Sequence, residues 1–406
     1  MYRLIYRLQY RLEPLFKTQS KSKLLGLTIA IVLCSIVFCD EVRSEKRYIF
    51  KPGSRQAIEV ETTGNTRYPS AGQPSVGSGA RTYSRTRQSG ARRRDTAARK
   101  GQPAGKRAYH LTEYLQVDGL RRSYYLFVPE TYDVHRAAPV LLVFHGLRMS
   151  AESMPAVTGF NGIAKRNGFV VVYCQAVNKR WNDGMNNARG VDDVKYVSAV
   201  IKNLSTKVNV DKRHIFAVGL SNGGYFSQML ASARPDEIAA VAVVASTAMS
   251  QGLSDTKNRS ARAIPAVFFL GTEDPLVNWN DGKKRSLGKY ADKLGLDLNG
   301  IDPGFYSMAR YGGWMSAEDV ISYWTGRNGC AQSPRVTMMP DKDRTDGMTV
   351  QCIEYGSRGN AVTVYKIIGG FHSWPGALLL PGSKVRSCQD ISAGELIWKF
   401  FRERAW

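Results

Sequence analysis

Short apolar runs alternate with helical patterns from Tyr109 to the C-terminus. A continuous run of four to eight apolar residues, such as "PVLLVFHG" (Pro139 to Gly146), is typical of a strand that is buried on both faces. The runs predict a series of strands, which in chain order are "LRRSYYLFVPE", "PVLLVFHG", "FVVVYCQ", "HIFAVGL", "IAAVAVVAS", "AIPAVFFLGTED" and "AVTVYKIIGG".

The segments between these runs have the period of amphipathic helices. In "VDDVKYVSAVIKNLSTKV" the apolar residues fall mostly on one stripe, and "MPAVTGFNGIAKRNG", "GGYFSQMLASA" and the C-terminal "SAGELIWKFFRERAW" are also predicted as helices. Strands that alternate with helices favour a mostly parallel sheet with helices on both faces. The sequence therefore predicts an α/β fold over residues 108–406, and it contains no internal repeat.

The N-terminal third has a different composition. Residues 1–107 hold 22 basic and 7 acidic side chains, so most of the net charge of +23 lies there. Six Lys and Arg residues precede the apolar run "LLGLTIAIVLCSIVFC", residues 24–39, which is the pattern of a secretory leader. We predict that residues 1–40 are a signal peptide or a signal anchor, and that the protein is secreted or attached to the cell envelope, with residues 24–39 as the candidate membrane anchor.

Residues 41–107 are predicted to be a basic, disordered linker. The stretch from residue 60 onward is rich in Gly, Ser, Thr, Pro and Arg and lacks a sustained hydrophobic period. Its basic run, residues 92–94, is either a solvated tether or a contact for anionic lipid, cell-wall polymer or polysaccharide. Because the charge lies outside the predicted globular part, we expect no nucleic-acid partner.

Three predicted strand ends carry reactive side chains, in the chain order Ser, acid, His. Ser221 lies in "GLSNGG", where Gly219 and Gly223 have the spacing of a nucleophile on a tight strand-to-helix turn. Two acids, Glu273 and Asp274, follow the strand "FFLG". His372 follows the last predicted strand. Ligands cluster at the carboxyl ends of parallel strands, so the three ends are expected to meet.

These residue types in this order fit nucleophilic catalysis. Histidine is the side chain that accepts a proton near neutral pH, and a carboxylate that accepts its Nδ1–H fixes its tautomer. An oxyanion would need backbone N–H donors, for which we expect Asn222 and, in the loop after "VFHG", Leu147. This chemistry needs no cofactor, and without C-x-x-C spacing no metal site is expected.

The blocks "LLVFHG", "WNDG" with "VDDV", "GLSNGG", "GTEDPLV", "NGC" and "GGFHSWPG" resemble the secreted polyhydroxybutyrate depolymerase and feruloyl-esterase-like family of α/β-hydrolases. The resemblance extends from about residue 110 to the C-terminus. It implies the α/β-hydrolase fold, a serine esterase with Ser221 as nucleophile and His372 as base, and Asp274 rather than Glu273 as the acid, because the family places this Asp before Pro.

The resemblance also implies substrates: polyesters such as polyhydroxyalkanoate, or acyl esters of polysaccharide such as feruloyl and acetyl groups. Trp181 resembles an aromatic residue beside the family's substrate cleft, and Trp374 and Trp279 are further candidates for substrate binding. The segment around Trp279, residues 278–314, is either a lid or a surface loop. The alternative function is a non-catalytic carbohydrate-binding protein on the same fold, anchored to the envelope.

Cys330 and Cys352 are candidates for a disulfide. An exported domain can keep disulfides, and this pair would close a short loop, with an Asn-Gly turn before Cys330 and an alternating apolar strand around Cys352.

Overall fold

The computed structural model describes residues 107–182, 190–248, 250–254, 262–274, 276–277, 279, 315–331, 333–377 and 386–405, together with two short N-terminal strands. These strands, β1 (Arg47–Phe50) and β2 (Ala57–Val60), form a two-stranded sheet of their own inside the segment predicted as a linker. The leader, residues 1–40, and the rest of the linker up to residue 106 lie outside the described residues. Within the described part, no helix is long and apolar enough to cross a membrane.

A ten-stranded mixed sheet forms the centre of the globular part. Its strands are β3 (Tyr109–Val117), β4 (Leu120–Val128), β5 (Ala138–Phe144), β6 (Val170–Cys174), β7 (Val210–Leu220), β8 (Ala240–Val244), β9 (Ala266–Gly271), β10 (Arg335–Met338), β11 (Thr349–Tyr355) and β12 (Val362–Ile368). The spatial order is β10-β11-β12-β9-β8-β7-β5-β6-β4-β3. The six strands from β12 to β6 are parallel, and the strands at both margins are antiparallel. The predicted, mostly parallel sheet is confirmed.

Helices cover both faces of this sheet. They are α1 (Met154–Thr158), α2 (Phe160–Asn167), α3 (Asp193–Leu204), α4 (Asn222–Ala233), α5 (Ser250–Ser254), α6 (Ala317–Arg327) and α7 (Ala393–Arg404). Successive residues of a strand point to opposite faces, so Leu142 and Leu141 of β5 join different core clusters. One cluster includes side chains of α3, α4 and α6, and the other includes those of α1, α2 and α7. This arrangement is the α/β-hydrolase type that the sequence predicts.

One helix and two edge strands of the globular part differ from the sequence expectation. The helix predicted over "MPAVTGFNGIAKRNG" is divided into α1 and α2 at Gly159, whose φ of +67° ends the first helix in a left-handed conformation. The edge strands β3 and β10 are not predicted by the apolar runs, because edge strands are partly solvated. All four residues of β10 are exposed.

The predicted Cys330–Cys352 disulfide is wrong. Both cysteines are free, as are Cys174 and Cys388. Cys330 follows α6 and packs in one core cluster, whereas Cys352 lies on β11 and packs in the other. The sheet therefore separates the two thiols, and the Cys330 Sγ instead lies 3.1 Å from the carbonyl oxygen of Asn360, to which it donates a hydrogen bond.

Candidate active site

The three predicted reactive side chains follow the carboxyl ends of parallel strands. Ser221 comes directly after β7, Asp274 comes three residues after β9, and His372 comes four residues after β12. In the sheet, β12 is next to β9, and only β8 separates β9 from β7. The strand order thus brings all three residues to one edge of the sheet, as predicted.

Ser221 lies on a sharp turn between β7 and α4. Its φ is +53°, a left-handed conformation that costs a non-glycine residue free energy and persists where the surroundings impose it. Its N–H donates to the carbonyl of Val244 at 2.9 Å. A Cβ at Gly219 would lie 1.9 Å from the Gly223 oxygen, and one at Gly223 would lie 2.2 Å from the Phe144 oxygen. Glycines at both positions therefore allow the close packing that a nucleophile elbow needs.

Asp274 is buried, and its carboxylate is held by backbone donors. The Oδ1 atom accepts hydrogen bonds from the N–H groups of Leu276 at 2.8 Å and Val277 at 3.1 Å. The Oδ2 atom lies 2.8 Å from the His372 Nδ1 atom. The neighbouring Glu273 has an exposed side chain. The structure thus brings Asp274 to the imidazole, in agreement with the choice of Asp274 over Glu273.

The environment of His372 favours its protonated form. Burial alone would lower its pKa, but the Asp274 charge and hydrogen bond outweigh this effect, and the pKa of His372 rises above its ordinary value. Because the carboxylate accepts the Nδ1–H, the Nε2 atom of the neutral ring carries the free lone pair. About a fifth (22%) of the His372 side chain is exposed, so a substrate can approach it.

Backbone hydrogen bonds join the loop of Asp274 to the loop of His372. The N–H groups of Thr272 and Glu273 donate to the carbonyls of Ile367 and Gly370, both at 2.9 Å. The N–H of Gly369 donates to the Thr272 hydroxyl, also at 2.9 Å. Among the described residues, no hydrogen bond joins the Ser221 hydroxyl to His372. Such contacts often tighten only when a substrate binds.

The two expected oxyanion donors lie on either side of Ser221. Asn222 is the first residue of α4, where helical N–H groups lack intrahelical acceptors. The N–H of Leu147 has no acceptor within the described part of the chain. A Cβ at Gly146 would lie 3.6 Å from the Ser221 Cβ, so the loop of Leu147 contacts the elbow.

His145 is buried in this loop and forms hydrogen bonds with its backbone. It is fully buried, and burial lowers its pKa, so the ring is neutral. The Nε2 atom accepts from the N–H of Ala176 at 3.2 Å, and the Nδ1–H therefore donates to the carbonyl of Gly146 at 2.7 Å.

The three tryptophans predicted to bind substrate are buried. Trp181 is fully buried, and Trp374 and Trp279 are 3% and 9% exposed. The Trp374 ring packs edge-on against Phe160, and the Lys366 ammonium lies over the Trp279 ring at 4.4 Å. These rings have little surface left for a substrate, so the expected contact role is corrected: in the described structure they are core residues.

The sequence prediction missed a set of polar contacts around Trp181. Its N–H donates to the Asn222 Oδ1 atom at 2.8 Å, and its indole Nε1–H donates to the His145 carbonyl at 3.0 Å. The next residue, Asn182, donates its N–H to Asp193, which forms a buried ion pair with Arg122. The sequence signals for these contacts were the blocks "WNDG" and "VDDV" and an arginine within a predicted strand.

A cavity of about 340 Å³ lies next to the segment that carries Trp181. Its walls come from the segment of residues 177–182 and the start of α3, with one side chain from β4. No residue of the elbow or of the His372 loop contributes to its lining, so we do not assign it to the reacting group of a substrate.

Known proteins with similar sequences are esterases. Residues 122–271 match the sequence model of the family described as "Esterase PHB depolymerase". Feruloyl esterase B of Piromyces equi is 26% identical over 249 residues, which are 60% of this chain and 41% of that protein. The putative esterase NocK of Nocardia uniformis subsp. tsuyamanensis is 28% identical over 269 residues, which are 64% of this chain and 72% of that protein.

Among solved structures, an acetyl xylan esterase from Aspergillus awamori aligns with a TM-score of 0.44 at 11% identity, over 69% of this chain and 94% of that one. The fold assignment rests on the strand order and helix layers described above. The segment that matches the PHB depolymerase esterase model includes the elbow of Ser221, so the chain is similar to this family over that segment.

Proposed function

We propose that the domain of residues 108–406 is a serine carboxylic-ester hydrolase with Ser221 as nucleophile, His372 as general base and Asp274 as the acid that orients it. The observation that carries this proposal is the 2.8 Å contact between the His372 Nδ1 and Asp274 Oδ2 atoms. It lies at the sheet edge where Ser221 occupies a strained elbow. A purely structural histidine would not need a buried carboxylate and a free Nε2 atom beside such a turn.

The first half of the reaction forms an acyl-enzyme. The Nε2 atom of His372 accepts the Ser221 proton while the Ser221 oxygen bonds to the ester carbonyl carbon. The carbonyl oxygen becomes an oxyanion that accepts hydrogen bonds from the N–H groups of Asn222 and Leu147. When the intermediate collapses, the C–O bond to the alcohol breaks, and His372 gives its proton to the leaving oxygen.

The second half regenerates the enzyme. Water gives a proton to His372 and attacks the acyl carbon, and the Ser221 oxygen then leaves and regains the proton. Asp274 keeps its negative charge throughout and stabilises the imidazolium that forms twice in the cycle. The raised pKa of His372 fits this role, since the Asp274 charge is its cause.

The proposed substrate is a polyester such as polyhydroxyalkanoate, or an acyl ester of a polysaccharide such as a feruloyl or acetyl ester. Support comes from the family description, "PHB depolymerase", and from the relative named feruloyl esterase B. We also propose export, which would bring the enzyme to polymers too large to enter a cell. The basic and apolar leader supports export, and anchoring through residues 24–39 stays a prediction.

Replacement of Ser221 by alanine tests the nucleophile. We expect kcat for a p-nitrophenyl ester to fall about 10⁴- to 10⁶-fold, because the acyl-enzyme can no longer form. The matched control is Ser232→Ala on α4, the helix that follows Ser221; the buried Ser232 hydroxyl has no hydrogen-bond partner among the described residues. Wild-type turnover by Ser221→Ala, or no labelling of Ser221 by a fluorophosphonate, would refute the proposal.

A substrate panel then separates the classes. Poly(3-hydroxybutyrate) film, methyl ferulate and acetylated xylan present the three proposed acyl groups to the same enzyme preparation. Activity confined to one of them assigns the substrate. Ser221 labelling without hydrolysis of any member would limit the proposal to esters outside these three classes.

A further inference from the structure

We infer that Trp181 is a positioning residue that holds the two halves of the oxyanion hole at a fixed separation. The inference rests on the proposed function, and it assigns to Trp181 a role other than contact with substrate. The two halves belong to different elements, the loop after β5 and the start of α4, and Trp181 bonds to both of them.

The main chain of Trp181 forms hydrogen bonds with Asn222, on the elbow side of the oxyanion hole. Its N–H donates to the Asn222 Oδ1 atom at 2.8 Å, and the Asn222 Nδ2 donates in return to the Trp181 carbonyl at 3.4 Å. These hydrogen bonds therefore hold Asn222 in place, and the backbone N–H of Asn222 is the first proposed oxyanion donor. Both the oxygen and the nitrogen of the Asn222 side-chain amide contact the main chain of Trp181.

The side chain of Trp181 forms a hydrogen bond with the loop after β5, on the other side of the oxyanion hole. Its Nε1–H donates to the carbonyl of His145 at 3.0 Å, two residues before Leu147, the second proposed donor. The indole ring is fully buried, stacks on Phe226 with ring centroids 4.9 Å apart, and meets Phe144 edge-on at 5.2 Å. With the ring packed on both neighbours, the Nε1–H has a single orientation.

A second anchor holds the segment that carries Trp181. The N–H of Asn182 donates to the Asp193 Oδ2 atom at 2.7 Å, and the Asp193 Oδ1 atom forms the ion pair with Arg122 at 2.6 Å. Arg122 belongs to β4 and Asp193 to α3, so the position of Trp181 is fixed by elements outside the elbow. Oxyanion donors are effective when they are held in place before the reaction, because no reorganisation is then needed.

The variant Trp181→Phe tests the inference. It keeps an aromatic ring in the packed site and removes the hydrogen bond to His145. We expect kcat to fall at least about 10-fold with KM within about twofold, since the donors act mainly in the transition state. The affinity for a trifluoromethyl ketone, whose adduct with Ser221 carries the same oxyanion, should fall in parallel. The acid limb of the pH–rate profile should stay in place, because the contact between His372 and Asp274 is untouched.

Trp324→Phe is the matched control. Trp324 is also fully buried in the same core cluster, and its Nε1–H donates to the Gln228 Oε1 atom at 2.9 Å. We expect this variant to lose thermal stability as Trp181→Phe does, while kcat and ketone affinity stay at wild-type values. Equal losses of kcat in the two folded variants, or wild-type kcat in Trp181→Phe, would overturn the inference.

A second variant covers the case in which Trp181→Phe does not fold. Asn222→Ala keeps the backbone donor and removes the side-chain link to Trp181, so the same fall in kcat with unchanged KM is expected. Wild-type kcat in folded Asn222→Ala would overturn the inference. Ser221→Ala should be inactive whether the inference about Trp181 is right or wrong. If the proposed function itself were wrong, Ser221→Ala would be active.

Discussion

Glu273 and Asp274 are adjacent carboxylates with different surroundings. The Asp274 side chain is buried, accepts two backbone N–H groups and contacts His372, whereas the Glu273 side chain is exposed. The carboxylate that can orient an imidazole is the one whose own orientation is fixed. At the scale of single residues, burial and hydrogen bonding separate two chemically similar groups into different roles.

Asp274→Asn should change both the rate and the pH dependence of hydrolysis. The base must be neutral, so activity is lost as the pH falls through the pKa of His372, which Asp274 holds above its usual value. Without that charge, burial dominates and lowers the pKa, and the acid limb of kcat/KM should move to lower pH. We also expect kcat to fall about 10⁴-fold, because the asparagine can select the wrong tautomer. A pH–rate profile measures both effects.

Glu273→Gln is the control for this experiment. Its side chain is exposed and lies outside the proposed machinery, so both the rate and the acid limb should match those of the wild type. A limb that stays in place in Asp274→Asn, or that moves in Glu273→Gln, would show that Asp274 is not the group that controls the His372 pKa.

Some of these residue roles could be predicted and others could not. Ser221 and His372 follow apolar runs, so strand ends point to them directly. The choice of Asp274 came from resemblance, because sequence spacing alone does not separate it from Glu273. The burial of Trp181 could not be predicted, because a tryptophan in a loop either faces solvent or packs in the core, and tertiary contacts decide which.

The elbow depends on the close approach of β5, β7 and α4. A Cβ at Gly223 would lie 2.2 Å from the Phe144 oxygen at the end of β5. A backbone atom cannot move aside as a flexible side chain does, so Gly223→Ala must displace α4 or the oxyanion loop. We expect the free energy of unfolding to fall by about 3 kcal/mol, the upper end of the usual cost of overpacking, and kcat to fall at least about 10²-fold. Urea unfolding and ester hydrolysis measure the two effects.

A second Gly→Ala exchange provides the comparison. Gly162 lies inside α2, and a Cβ there would meet only the end of the Arg166 side chain at 3.7 Å. Gly162→Ala should raise the free energy of unfolding by about 0.5–1 kcal/mol, because alanine loses less backbone entropy in a helix. If both exchanges had the same effect, tight packing at the elbow would not be the cause of the Gly223→Ala loss.

The same element scale explains which strands the sequence predicts. Central strands such as β5 and β8 are buried on both faces, so their sequences are continuous apolar runs. The edge strand β10 is exposed along its length and lacks such a run. The error about Cys330 and Cys352 has a related cause, since the face of the sheet on which a side chain lies depends on strand register and not on separation along the chain.

Across the whole molecule, a buried charge pair connects the margin of the sheet to the site. Arg122 on β4 and Asp193 on α3 have side chains that are 2% and 0% exposed, and their atoms lie 2.6 Å apart. The Arg122 guanidinium also lies over the Tyr196 ring at 3.8 Å. From Asp193 the contacts continue through Asn182 to Trp181 and the elbow. Residues that are far from the reacting atoms thus help to determine the site geometry.

Arg122→Met should leave the Asp193 charge buried and unpaired, which costs about 3–5 kcal/mol in the free energy of unfolding. The double variant Arg122→Met with Asp193→Asn should recover at least about 1 kcal/mol of this loss. It removes the unpaired charge while an amide oxygen still accepts from the Asn182 N–H. Urea unfolding of the single and double variants measures the recovery. We expect kcat to fall in the single variant and to rise again in the double variant, because Asn182 is again held.

An exposed ion pair on the same fold shows whether burial is the reason. Arg166 of α2 pairs with Glu395 of α7, and their side chains are 61% and 51% exposed. Arg166→Met should cost less than about 1 kcal/mol, because solvent screens this pair, and it should leave kcat unchanged. If Arg122→Met cost no more than Arg166→Met, or if the double variant recovered nothing, the buried charge would not be what connects β4 to the site. A loss of stability in Arg122→Met without loss of kcat would show that the ion pair stabilises the fold but does not affect the site.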